Sequence, residues 1–169
     1  YRKLFNKNYN FIKDLLLKHS YYLKNHLSLY SSAGNHLVAE LIGILVLNLN
    51  FKLDINFNKY FNLLMKITPD QFFKDGFSRE QSTHYFKDNL SLYLILLFNL
   101  YSNRKKKKFY ILLENIKNFF SFYKDLRISS SNYFDIGDND NSIIINDLLS
   151  RKYCEYESVF NDINFLENS

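Results

Sequence analysis

In the stretch "YSSAGNHLVAELIG" (30–43), Asn35 and His36 stand side by side where an apolar helical run begins. A helix start needs one capping group, so an amide and an imidazole together leave a donor over. Glu40 follows His36 at i+4 on the same helical face, and it is read as an orienting hydrogen-bond partner of the imidazole. With no third ligand in view, a metal pair is the weaker reading. A second polar set lies in "DGFSREQSTHYF" (75–86), which carries Arg79, Glu80, Gln81, His84 and Tyr85. Amide and imidazole groups donate to anions, and a phenol can move a proton when nearby positive charge or hydrogen bonds lower its pKa. Each residue also has an ordinary structural use. A helix-start histidine is more often structural than not, Glu80 suits the first turn of a helix, and any one of 14 tyrosines is first a packing residue.

The elements that must position these groups read as helices. Four Gly and one Pro in 169 residues supply little of the turn chemistry a sandwich or barrel requires. The spacing of Leu4, Phe11, Leu15, Tyr22 and Leu29 predicts an amphipathic helix over 4–29. A second helix is expected over 35–50, with Ser32 as an upstream cap, and a third over 56–66. Pro69 disfavours helix at Thr68. Turn chemistry falls at Asp75-Gly76, and helices are expected over 81–102 and 105–126. The polar segment "RISSSNYFDIGDNDNSIII" reads as a loop over 127–142 with a short strand at 143–145. A last helix is expected over 146–165. The chain is thus one all-α domain over 1–169, the ~20-residue helices alternating with loops as stacked helical hairpins do, and it reads as a piece of a longer protein.

Several function classes are disfavoured. No P-loop, GxGxxG, HExxH, GxSxG or spaced Cys/His set occurs. Cys154 is the one cysteine, so neither a disulfide framework nor a cysteine metal site is expected. "DIGDNDN" suggests calcium, but twelve-residue loop spacing from Asp138 reaches Leu149 instead of an acid. The net charge of +5 equals the contribution of Arg104–Lys108, "RKKKK", a run without interleaved aromatics that reads as a solvated connection and not a nucleic-acid platform. The apolar runs 37–51 and 90–101 contain Glu40 or are too short for a membrane span. Richness in Asn, Lys, Ile, Phe and Tyr also fits an AT-rich genome, which lowers the weight of single Asn and Lys residues.

Together, "SSAGNHLVAELIG", then "DGFSREQSTHYF", then "IGDNDN" resemble, in order, the helical domain of heparinase II/III-type polysaccharide lyases and related alginate and oligoalginate lyases. The likeness covers about Leu15 to Leu149. It implies an incomplete (α/α) toroid of helical hairpins, with a C-terminal antiparallel β-sandwich that this chain does not contain and that would complete the cleft. It also implies an acidic polysaccharide as partner, no required cofactor, and a periplasmic or secreted location. By that likeness Asn35 and His36 face the sugar carboxylate and Tyr85 is the catalytic proton-transferring residue. His84, Arg79, Glu80 and Gln81 are substrate-binding, and Glu40 is orienting. The heparinase-like branch has a Tyr-His pair, whereas this chain reads His84-Tyr85-Phe86.

The chemistry implied is β-elimination. Removing the C5 proton of a uronate adds charge to an ionised carboxylate, and one fixed donor to such a charge is worth about 3–4 kcal/mol of barrier. Glu80 and Gln81 are better suited to fixing the loop or meeting sugar hydroxyls than to taking a proton beside an anion. The alternative is a helical domain that binds acidic polysaccharide, or serves capsule or envelope polysaccharide handling, without catalysis.

Overall fold

The computed structural model describes residues 8–30, 34–126 and 134–138, with the backbone alone at 120, 123 and 124. Its helices are α1 (Tyr9–Asn25), α2 (Asn35–Phe51), α3 (Phe57–Ile67), α4 (Thr83–Ser102) and α5 (Lys106–Asp125), with a 3-10 turn at Thr68–Gln71. The described residues are all-α, apart from one isolated antiparallel bridge between Phe72 and Ser78. The expected strand at 143–145, the last helix over 146–165, Cys154, Leu4, the Ser32 cap and Leu149 lie outside the described residues.

α2 and α4 form the centre. α2 buries Leu37, Val38, Leu41, Ile42, Ile44, Leu45 and Leu49, and α4 buries Phe86, Leu90, Tyr93, Leu94, Leu96, Leu97 and Leu100. Apolar arcs this wide require neighbours on more than one side, and α2 packs on α1, α3 and α4. Truncating a fully buried leucine such as Leu45 to alanine removes about 2–5 kcal/mol.

Cross-links fix the helix directions. Near the C-terminal ends of α2 and α4, the Asn50 amide donates to Asn99 Oδ1 at 2.6 Å. At the other end Gly34, which precedes α2, abuts the Glu80 carboxylate, which precedes α4. The two central helices therefore run parallel. The others run against them: Tyr9 of α1 stacks on Phe51, and Ser28 beyond α1 bonds Glu40. α3 starts where the Asn48 amide holds the carbonyls of Leu53 and Ile55. α5 starts with Lys108 over the rings of Phe57 and Phe61, and ends with Phe122 on Phe77 and Phe86.

Local signals account for the boundaries. Asn56 accepts the Lys59 N–H at 3.1 Å and starts α3, and Ser82 accepts the Tyr85 N–H at 3.3 Å and starts α4. Pro69 ends α3 but not the coil. Thr68 stays helical because its hydroxyl donates to Leu64 O at 2.8 Å, and the chain continues as the 3-10 turn. The basic run divides into a tight connection, with Arg104 at φ +56°, and the first turn of α5.

α1 departs from expectation in length and facing. It ends at Asn25, because Ser28 is drawn onto Glu40. Phe11, Leu15, Tyr22 and Leu29, expected inside, are exposed. Ile12, Leu16, Ser20, Leu23 and Leu27 are the covered side, with the small Ser20 buried and its hydroxyl bonded to Leu17 O.

Candidate functional site

Because α2 and α4 are parallel, their first turns share one end of the molecule, and Asn35, His36, His84 and Tyr85 all stand in those turns. Helix N-termini present free N–H groups and the positive end of the dipole. At α4 the N–H groups of Thr83 and Tyr85 are already held by Ile136 O and Ser82 Oγ, which leaves the start of α2 as the turn better suited to an anion. α4 has its Ser82 cap, whereas α2 begins at Gly34, with no side-chain cap bond among the described residues. Asn35 is half-buried and His36 exposed.

Glu40 serves the site differently from the expected pairing with His36. Its carboxylate accepts the Ser28 N–H at 2.8 Å and the Ser28 hydroxyl at 2.7 Å. It thus clamps the chain leaving α1 against α2, and its orienting effect is on the backbone beside the site. The charge of a carboxylate makes this pair stronger than a neutral one.

The loop between the 3-10 turn and α4 is a tight hairpin-like excursion. Asp75 Oδ1 accepts the Phe77 N–H at 3.0 Å, and Phe73 and Phe77 pair through Phe73 N–H to Phe77 O at 2.8 Å. Gly76 turns the chain at φ +100°, and a Cβ there would stand 2.8 Å from the Asn118 carbonyl of α5. The loop then parts two adjacent residues. Glu80 meets Gly34, while the Arg79 guanidinium lies 5.7 Å from the centre of the Phe73 ring on the α5 side. Gln81 is exposed and takes a left-handed φ of +52°, uncommon for a residue with a side chain.

Residues 134–138 cross the start of α4. Thr83 N–H donates to Ile136 O at 2.9 Å, its hydroxyl donates to Phe134 O at 2.9 Å, and the same oxygen accepts the Ile136 N–H at 3.1 Å. The Ser82 hydroxyl donates to Asp138 O at 2.6 Å. This brings Asp135 Oδ1 to 3.9 Å from His84 Nε2. Lys87, one turn further along α4, feels the same carboxylate. Burial lowers its pKa, and Asp135 and then Asp88 oppose that shift.

Asp135 was missed in the sequence. It lies far along the chain from His84, at the head of "DIGDNDN", a segment weighed as a calcium loop and as part of the resemblance but not as a partner of His84. Asn89 was missed too. It stands one turn after Tyr85 and is 1% exposed, and neither its amide nitrogen nor its oxygen has a partner among the described residues. Tyr85 itself is half-buried. Among the described residues no group of three or more His, Cys, Asp or Glu could hold a metal ion, and no helix is long and apolar enough to cross a membrane.

No family model, curated protein or solved structure matches the chain.

Proposed function

We propose that this chain is the helical part of a polysaccharide lyase that cleaves uronic-acid-containing glycans by β-elimination. Its hairpins would belong to an incomplete (α/α) toroid, with a β-sandwich domain closing the other side of the cleft. The observation that supports this reading is the shared end of α2 and α4. There an amide, two imidazoles and a phenol lie on two adjoining first turns.

In this reading the uronate carboxylate sits at the start of α2, where Asn35 and His36 donate to its oxygens. The Tyr85 phenolate removes the C5 proton, and the electron pair enters the enolate that the donors stabilise. Collapse forms the C4–C5 double bond and breaks the C4–O bond. The leaving oxygen takes the proton back from the phenol, so no oxidant or cofactor is needed for the balance. His84, whose Nε2 lies 3.9 Å from Asp135 Oδ1, is the neighbour of Tyr85 on the same turn. Glu80 and Gln81 hold the loop at the mouth of α2 and meet sugar hydroxyls.

The test is incubation of the full-length natural protein with alginate, heparan and other uronates, following ultraviolet absorbance of the unsaturated product. Turnover is expected, and Asn35→Ala or Tyr85→Phe should lower kcat by about 10²–10³-fold with the fold retained. Normal turnover in either variant defeats the assignment. Glycan binding without any product across the panel favours a binding domain instead.

A further inference from the structure

On the far side of the same loop, a pocket of about 650 Å³ opens between the 3-10 turn, the loop and α5. That volume lies within the range of small-ligand sites. Its wall includes Phe73, Lys74, Arg79, Asn115 and Asn118, and no carboxylate lines it among the described residues. Two cations and two carboxamides thus share one concavity. Phe73 carries the Arg79 guanidinium over its ring and braces it at the rim. The floor is stiff, since Phe72 and Phe119 stack within it. Asn115 spends an N–H on Ile111 O at 2.7 Å, so it offers a ligand its acceptor oxygen.

The geometry points to a subsite for a second anionic sugar unit. Lys74 and Arg79 meet its carboxylate or sulfate, and Asn115 and Asn118 meet its hydroxyls. The pairing of two cations with neutral hydrogen-bonding groups suits an acidic saccharide better than a simple anion, which has no use for the carboxamides. The identity of the ligand rests on the lyase reading. The charge preference rests on the lining alone. Arg79 thereby acts away from the mouth of α2, while its neighbour Glu80 acts at it.

Binding of a uronate disaccharide, tetrasaccharide and hexasaccharide to the full-length protein tests the subsite by titration calorimetry, beside turnover of each. Lys74→Gln, and Lys74→Gln with Arg79→Gln, are expected to weaken the longer ligands about tenfold per cation at low salt. The disaccharide is expected to lose little, and Lys74→Arg is expected to restore the wild-type length dependence. Circular dichroism confirms that each variant folds. Unchanged affinity at every length, or equal loss at every length, overturns the subsite. If the wild-type protein makes no product yet shows the length-dependent loss, the subsite stands and the lyase reading falls. If it turns over and the double variant binds every length as wild type, the lyase reading stands and the subsite falls.

Discussion

A Cβ built on Gly34 would stand 2.7 Å from Glu80 Oε1, so the start of α2 and the loop before α4 touch at a position with room only for hydrogen. The atom in the way is the end of an exposed, flexible side chain. Gly34→Ala should therefore shift the carboxylate and not the backbone. Its stability cost is expected to stay below about 1 kcal/mol, whereas, in the proposed lyase reading, KM for a uronate is expected to rise because the mouth of α2 is crowded. Urea unfolding beside steady-state kinetics separates the two, and a large loss of stability would mean that the contact supports the fold.

Gly137 is the stricter glycine. It has φ +76°, and a Cβ there would run into the backbone of Gln81 and Ser82, which cannot step aside as a side chain can. Gly137→Ala is expected to lift 134–138 from the start of α4 and to cost about 1–3 kcal/mol. Hydrogen exchange at the Thr83 amide, bonded to Ile136 O, reads the release directly. Retained protection there would count against it.

Glu40 holds Ser28 by both backbone and hydroxyl. Glu40→Ala strands two donors and is expected to cost about 1.5–3 kcal/mol, while Ser28→Ala, which loses only the hydroxyl, is expected to cost less. A double-mutant cycle by chemical denaturation should show coupling between the two positions. Additive losses would mean that the pair does not act as a unit.

Tyr93 is fully buried, and its hydroxyl lies 3.1 Å from Thr68 Oγ1. Because Thr68 spends its own proton on Leu64 O, Tyr93 is the donor. Burial pushes the phenol well above its usual value. The unfolded chain releases this proton near pH 10 and the native one keeps it. Above about pH 10 the unfolded state therefore binds fewer protons, and stability falls as pH rises. Tyr93→Phe is expected to lose about 1 kcal/mol at neutral pH and to flatten the alkaline slope of urea unfolding. An unchanged slope would assign it to another group.

Lys87 has the opposite sign. Burial lowers its pKa, and Asp135 and Asp88 offset part of that. Between its folded value and the ordinary 10.5, the unfolded chain binds more protons, so this residue makes stability rise with pH there. At neutral pH the buried charge is a cost. Lys87→Met is expected to raise the melting temperature, and Asp135→Asn, which removes a compensating charge, to lower it. The reverse order in calorimetric melts would refute this account.

Much of the helical framework was legible because its signals are local. Asn56, Pro69 and Ser82 act through bonds spanning a few residues, so α3 begins and ends, and α4 begins, close to where those residues stand. α1 was legible as a helix but not in its facing. It carries two apolar stripes, one through Phe11, Leu15 and Tyr22, the other through Ile12, Leu16 and Leu23, and periodicity cannot choose between them. Docking against α2 chose the stripe in which the small Ser20 permits close approach.

By itself, then, the sequence determined which segments coil and where along the chain the donors, the phenol and the turn glycines stand. Tertiary structure decided their company. It made α2 and α4 parallel, so that two first turns meet, and gave Glu40 to Ser28 in place of His36. It also carried Asp135 to His84 and parted Arg79 from Glu80 across one loop. These relations follow from how wide apolar faces pack and which ends they bring together. Such packing joins residues far apart in the chain, and no pattern within a few residues encodes it.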